Sequence, residues 1–160
     1  VTSSELAGAE RFRPAVTVAA VVERDGRYLL VEEVVHGRRV LNQPAGHLEA
    51  GETLLEAVVR ETLEETGWVV APTALVAVYQ WTSPADARPI LRFTFAAEAV
   101  RVVEDAALDH GIERVWWLDE AELATHPIPA RSPLVARSIA DHRRGLRVPL
   151  EHVAAIPPAG

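Results

Sequence analysis

The 160-residue chain contains no cysteine and no methionine. Without thiols there can be no disulfide, no thiolate metal site and no cysteine nucleophile. Long hydrophobic runs are missing as well. The first apolar run, Val16 to Val22, falls far short of the roughly 20 residues that a membrane-spanning helix needs. The opening VTSSELAGAERFR has neither the basic nor the apolar segment of a secretion leader. These absences predict a soluble, cytoplasmic protein with no membrane partner. Positive charge is also scarce, with 16 Lys and Arg against 23 Asp and Glu for a net charge of −7. A surface of that sign does not neutralise a phosphate backbone, which argues against nonspecific nucleic-acid binding. An acidic protein that handled phosphates would need a cation as intermediary. No repeat or low-complexity linker interrupts the chain, and its length suits one domain with a substantial core. The expected domain spans 13–150, flanked by a flexible tail at 1–12 and a second tail at 151–160.

What is present is a strand-rich pattern with a few helices. AVTVAAVV and RYLLVEEV are apolar and β-branched, and Asp25-Gly26 between them signals a hairpin turn. VLNQPAG leads into a loop holding Gly46 and Gly51. Thr53 and Glu56 form a capping box that opens a helix over 54–66, and Gly67 stands where the helix should end. ALVAVYQW and ILRFTFAAEAV predict strands around the turn-rich TSPADARP, and ERVWWL predicts another. Asp119 to Glu122 repeats the capping-box pattern. Ser132-Pro133 predicts an N-cap and first helical residue of a helix that reaches Arg143 and stops near Gly145. Together these elements imply the α/β class: a mixed sheet with helices on both faces, an α/β/α sandwich.

The 54–66 helix concentrates acid. At about 100° per residue, Leu55, Val58, Val59, Thr62 and Thr66 share the core side. Glu61, Glu64 and Glu65 project from the opposite side, and Glu56 and Arg60 form an i,i+4 surface pair on a third. Like charges one turn apart destabilise a helix by about 0.2–0.5 kcal/mol per pair. A solvated face merely tolerates that penalty, whereas a cation site uses it. A Gly-rich turn followed by an acidic face offers carboxylates and backbone carbonyls together, which suits a hard divalent ion with oxygen ligands. Mg²⁺, with Mn²⁺ as the alternative, would neutralise the acids and recruit a polyanionic substrate.

Gly46, Glu52 and the run Arg60-Glu61-Thr62-Leu63-Glu64-Glu65-Thr66-Gly67-Trp68 stand at the spacing GX5EX7REUXEEXGU. On these residues the chain resembles the Nudix hydrolases. Thr62 and Trp68 replace the aliphatics preferred at two packing positions. VTVAAVV, NQPAGHLEAGETL, YQW, LRFTFA and RSPLVARSI extend the resemblance toward the NudJ-type phosphatase branch of that family. The resemblance implies a phosphoanhydride hydrolase acting on small molecules. Nucleoside di- and triphosphates and thiamine-pathway pyrimidine pyrophosphates are its implied substrates, with orthophosphate released. It further implies that Glu61, Glu64 and Glu65 bind Mg²⁺ with a backbone carbonyl near Gly46, while Glu52 and Arg60 orient those ligands.

In this family the base is a box glutamate or an acid on a later loop. Glu104, Asp105, Asp109 and Glu113 are available, and Asp109 lies in the best-matching segment. Arg92, a charge within apolar LRFTF, either meets a phosphate or carboxylate or sits at a strand edge. Tyr79 and Trp81 alternate with Gln80, so they share a face that could stack on a heterocycle. Trp117 reads as core. His47, in the box loop, suits a local hydrogen bond, and Arg131 either caps the following helix or meets an anion. Pro84 follows Trp68 by sixteen residues, a spacing associated with ADP-ribose pyrophosphatases. That activity, another nucleoside-diphosphate-X pyrophosphatase, or a non-catalytic Nudix binding module are the alternatives. The oligomeric expectation is a monomer or homodimer.

Overall fold

A computed structural model describes residues 12–156. Residues 1–11 and 157–160, in the two expected tails, lie outside the described residues. Strand β1 (Ala15–Arg24) turns into β2 (Arg27–Val35) at the predicted hairpin. There Asp25 and Gly26 both take positive φ, 54° and 75°. A two-residue I′ turn demands that backbone, and Asp-Gly adopts it readily. Next come β3 (Arg38–Asn42) and β4 (Ala45–His47), then α1 (Leu54–Thr66), β5 (Trp68–Thr82) and β6 (Pro89–Val102). The described chain continues through β7 (Ile112–Leu118), α2 (Glu120–Thr125), α3 (Leu134–Arg143) and a 3-10 turn at Leu150–His152. No helix among the described residues is long and apolar enough to cross a membrane.

The strands form one mixed sheet in the order β3-β2-β1-β6-β5, with β4 also on β1 and β7 on β2. β1 and β6 run parallel, and the other pairs are antiparallel. Successive residues of a strand face opposite sides of a sheet, and β1 divides the core on that basis. Val18, Ala20 and Val22 meet Val58 of α1 and Phe95 of β6. Val21 joins Leu30 and Leu41 against Val135 and Ile139 of α3. Both faces of β1 are therefore buried, which explains why its sequence is a continuous apolar run. With α1 on one side and α3 on the other, the molecule is the expected α/β/α sandwich. Leu150 and Val153 also pack on the α1-side cluster.

Three local expectations need correction. The segment read as a loop entry contains β3 and β4, short strands without a propensity signal of their own that form because β2 and β1 offer pairing partners. Pro133, not Ser132, is the N-cap of α3, and Ser132 Oγ instead accepts from the Leu134 N–H at 3.3 Å. Proline has no N–H to give, so the hydroxyl meets the next one along. The Glu56–Arg60 surface pair does not form. Glu56 Oε2 accepts from the Thr53 N–H at 2.7 Å to close the capping box, and Arg60 turns to other acids. α1 otherwise follows the sequence, with Thr53 Oγ1 accepting from the Glu56 N–H at 3.2 Å and Gly67 ending it at φ 72°.

Candidate active site

α1 buries its acidic face as well as part of its apolar one. Glu61 and Glu65 are each 8% exposed, packed where β4 crosses the helix. That approach depends on Gly46, since a Cβ there would stand 2.0 Å from Glu61 Cδ. Glu65 Oε2 accepts from the Ala45 N–H at 2.8 Å. Burial nevertheless pushes the Glu65 carboxyl up to about 8, outweighing that hydrogen bond. Burial also raises Glu61, opposed by the adjacent Arg60 guanidinium.

Arg60 ties the loop to the helix. Its Nη2 and Nε donate to Glu52 at 2.7 and 3.0 Å, and its Nη1 donates to Glu61 at 2.9 Å and Glu64 at 3.0 Å. Nη2 also reaches the His47 carbonyl at 3.1 Å, while Glu52 accepts the Glu49 N–H at 2.7 Å. Bonds between charged partners are about twice as strong as neutral ones, so one guanidinium holds three box acids, Glu52, Glu61 and Glu64, in place. The hydrogen bond from Arg60 holds Glu52 below its ordinary range.

Asp109 arrives through the end of α1. A carbonyl in a helix's last turn lacks an intrahelical donor, and that of Glu64 accepts the Asp109 N–H at 2.9 Å. Carboxylate oxygens of Glu61, Glu64 and Asp109 then lie within 4.8 Å of one another. Three convergent carboxylates are a donor set suited to a hard divalent cation. Glu65 stands outside this group, one oxygen occupied by Ala45. Glu113, expected on the loop, lies in β7 and pairs with Arg39 at 2.8 Å.

On the α3 side of the sheet, Arg92 and Trp81 line a cavity of ≈ 180 Å³ with Thr17, His47, Arg88 and Arg131. Arg92 is not at a strand edge, because β6 lies between β1 and β5. Only 6% exposed, it leaves Nε and Nη1 without a partner among the described residues. An unsatisfied buried donor costs about 1–3 kcal/mol, and more when charged. Burial, then Arg131, push its pKa down to about 10, so it remains a cation at neutral pH. Arg131 Nη1 lies 2.9 Å from both carboxylate oxygens of Glu33. Glu33 carries the same kind of signal as Arg92, a charge inside the apolar run RYLLVEEVV, but is not among the candidates named from sequence.

Tyr79 does not join Trp81 at this cavity. α3 covers the strand at that point, and the Tyr79 hydroxyl donates to Asp141 at 2.9 Å. Burial, reinforced by that bond to a carboxylate, pushes the phenol up to about 12. Trp68, one of the two unusual box residues, meets half-buried Trp117 edge-on at 5.7 Å beneath the Arg24 guanidinium. Thr62, the other, donates its hydroxyl to the Val58 carbonyl at 2.7 Å. Both are packing solutions.

The family model of the NUDIX domain matches residues 11–138. The chain belongs to the Nudix family. Phosphatase NudJ of Escherichia coli K12 is 44% identical over 142 residues, covering 89% of this chain and 92% of that protein. Phosphatase NudJ of Shigella flexneri matches to the same extent. A NUDIX hydrolase structure from Nitrosomonas europaea has a TM-score of 0.87 at 44% identity, covering 90% of this chain and 98% of that one. The NUDIX domain of Shewanella oneidensis NrtR, solved with ADP ribose, shares the fold at a TM-score of 0.68 and 20% identity, covering 91% and 99%. The protein is thus a Nudix hydrolase, and the acids on α1 belong to its Nudix box.

Proposed function

We propose that this Nudix hydrolase is a Mg²⁺-dependent phosphatase, with Mn²⁺ able to substitute. It cleaves the terminal phosphoanhydride of nucleoside di- and triphosphates and of thiamine-pathway pyrimidine diphosphates, releasing orthophosphate. The observation that carries this reading is the convergence of Glu61, Glu64 and Asp109; a cavity lined by Arg88, Arg92 and Arg131, which His47 of β4 also borders, supplies positive charge for a phosphate. Similarity to Phosphatase NudJ over most of both chains supports the release of orthophosphate.

Glu61 and Glu64 would hold the cation, with Glu65 behind them and Asp109 completing the oxygen set. A divalent ion there supplies Lewis acidity and charge neutralisation for phosphoryl oxygens. Arg60, braced by Glu52, keeps Glu61 and Glu64 oriented. Asp109, the exposed member of the cluster, accepts a proton from the attacking water. Arg92 holds phosphate oxygens, and Trp81 offers a flat surface to the heterocycle. Stacking tolerates many bases, so several nucleotides should serve. The ADP-ribose alternative draws no support from Pro84, which is exposed and absent from the cavity lining.

Time-resolved product analysis with and without Mg²⁺ tests the reading. Orthophosphate should appear first from a nucleoside triphosphate, and Asp109→Asn should lower kcat and alter the low-pH limb of the rate profile. Initial release of pyrophosphate, or strict preference for ADP-ribose, would sink the phosphatase assignment.

A further inference from the structure

A cation in the interior is normally paired or ligated, yet Arg92, only 6% exposed, has two nitrogens without a partner among the described residues. It borders a cavity whose lining includes Arg88 and Arg131 but only one carboxylate, Asp86. Glu33 and Glu65 lie close enough to favour the Arg92 charge, while Arg131 opposes it. Glu33 is already engaged by Arg131, and Glu65 by the Ala45 N–H. Arg92 therefore presents donors and positive charge that the protein's own acids leave unanswered, next to Arg131, whose guanidinium is held by Glu33.

We propose that Arg92 and Arg131 form a subsite for an unesterified terminal phosphate, and that this subsite selects polyphosphate chains with a free end. The inference rests on the phosphoanhydride-hydrolase reading above and adds the residues that decide which substrates enter. A terminal phosphate carries a charge of about −1.5 to −2 and three acceptor oxygens. Esterification removes one of those charges and turns one oxygen into a bridge. The cavity, at ≈ 180 Å³, is smaller than the roughly 300–1,000 Å³ of sites that enclose a drug-sized ligand. It is large enough for a phosphate group beside the Trp81 indole, so discrimination against a capped phosphate comes from the charge and acceptor oxygen that the cap removes. An uncharged heterocycle in the same place would leave the guanidinium charges uncompensated. Trp81 pairs with Ile90, whereas Arg92 pairs with Tyr79, so the indole stands one step nearer the β5–β6 turn. It is placed to meet the group at the other end of a short phosphate chain.

The test compares kcat/KM for a nucleoside diphosphate and its β-methyl ester in the wild type, Arg92→Met and Arg131→Gln. The wild type should prefer the free-ended substrate by at least about 100-fold, as expected when a capped analogue leaves buried donors unpaired. In either variant that preference should collapse to within about threefold. A second measurement titrates inorganic phosphate calorimetrically into metal-free protein, where each variant should bind at least about tenfold more weakly than the wild type. Methionine removes an unpaired charge from the interior, and Arg131 is half exposed, so both variants are expected to fold. Equal turnover of capped and free substrates by the wild type overturns the subsite and leaves the hydrolase reading standing. Turnover of neither substrate with Mg²⁺ overturns the hydrolase reading, while the phosphate titration still decides the subsite. Variants that lose both substrates equally, or bind phosphate as the wild type does, also overturn it.

Discussion

At position 46 one methyl group would take the space of the Glu61 carboxylate, 2.0 Å from its Cδ. A carboxylate at the end of a flexible side chain can swing away where a backbone cannot. Gly46→Ala should therefore fold, losing less than about 2 kcal/mol, but reduce kcat by about 100-fold, as losing Glu61 would. Denaturation curves and turnover numbers on the same sample check this, and undiminished turnover would detach Glu61 from the chemistry. Glu65 makes a different prediction. Its folded pKa is about 8 against an ordinary 4.5, so the folded state keeps a proton that the unfolded chain releases. Metal-free stability is then full below pH 4.5 and declines as pH rises toward 8. At about 1.4 kcal/mol per pKa unit, the decline amounts to a few kcal/mol. Urea denaturation in chelator across that range should show the slope, and Glu65→Gln should flatten it and gain stability at the alkaline end. A flat wild-type profile would mean that Glu65 is ionised despite its burial.

Like β1, α1 is packed on two sides, with Val58 and Thr62 buried on one and Glu61 and Glu65 toward β4 on the other. Like charges that would weaken a free helix are tolerated because Arg60 bridges two of them and burial favours the neutral form of Glu65. β5 and α3 are joined more simply. Tyr79 donates to buried Asp141, which also accepts from Arg137 Nε at 2.7 Å and Arg144 Nη1 at 3.3 Å. Tyr79→Phe removes one of three donors to that carboxylate and should destabilise the fold by about 1–2 kcal/mol. KM should stay within about twofold, because the hydroxyl faces the helix. A large rise in KM with stability unchanged would return Tyr79 to the substrate.

For the molecule as a whole, acidity and metal dependence are linked. With a net charge of −7, the protein stabilises a polyanion only where arginines and a cation reverse the local sign. A cation that binds the folded state alone, at 100 times its Kd, adds about 2.7 kcal/mol. For a chain of this size that corresponds to a Tm increase of about 5–10 °C. Calorimetric scans with Mg²⁺ should show this increase in the wild type and lose it in Glu61→Gln. An equal increase in both would place the ion elsewhere on the acidic surface.

By itself, the sequence determined whatever depends on neighbours a few positions apart. The Asp25-Gly26 turn, the Thr53–Glu56 cap, the end of α1 at Gly67 and the box acids each follow from local φ/ψ limits, capping bonds and helical spacing. The mixed α/β class was legible too, since hydrophobic period reports which faces must be covered. Tertiary structure alone decided the rest. β3 and β4 exist because partner strands meet them, and Tyr79 left the cavity because α3 covers it. Arg92 became an interior cation because β6 lies between two strands, and Asp109 reached Glu64 through a carbonyl that the end of α1 leaves without an intrahelical donor. The Arg131–Glu33 pair joins residues 98 positions apart. Local rules specify which bonds a segment can make with itself, but a group's burial and charge partners depend on what the distant chain brings against it.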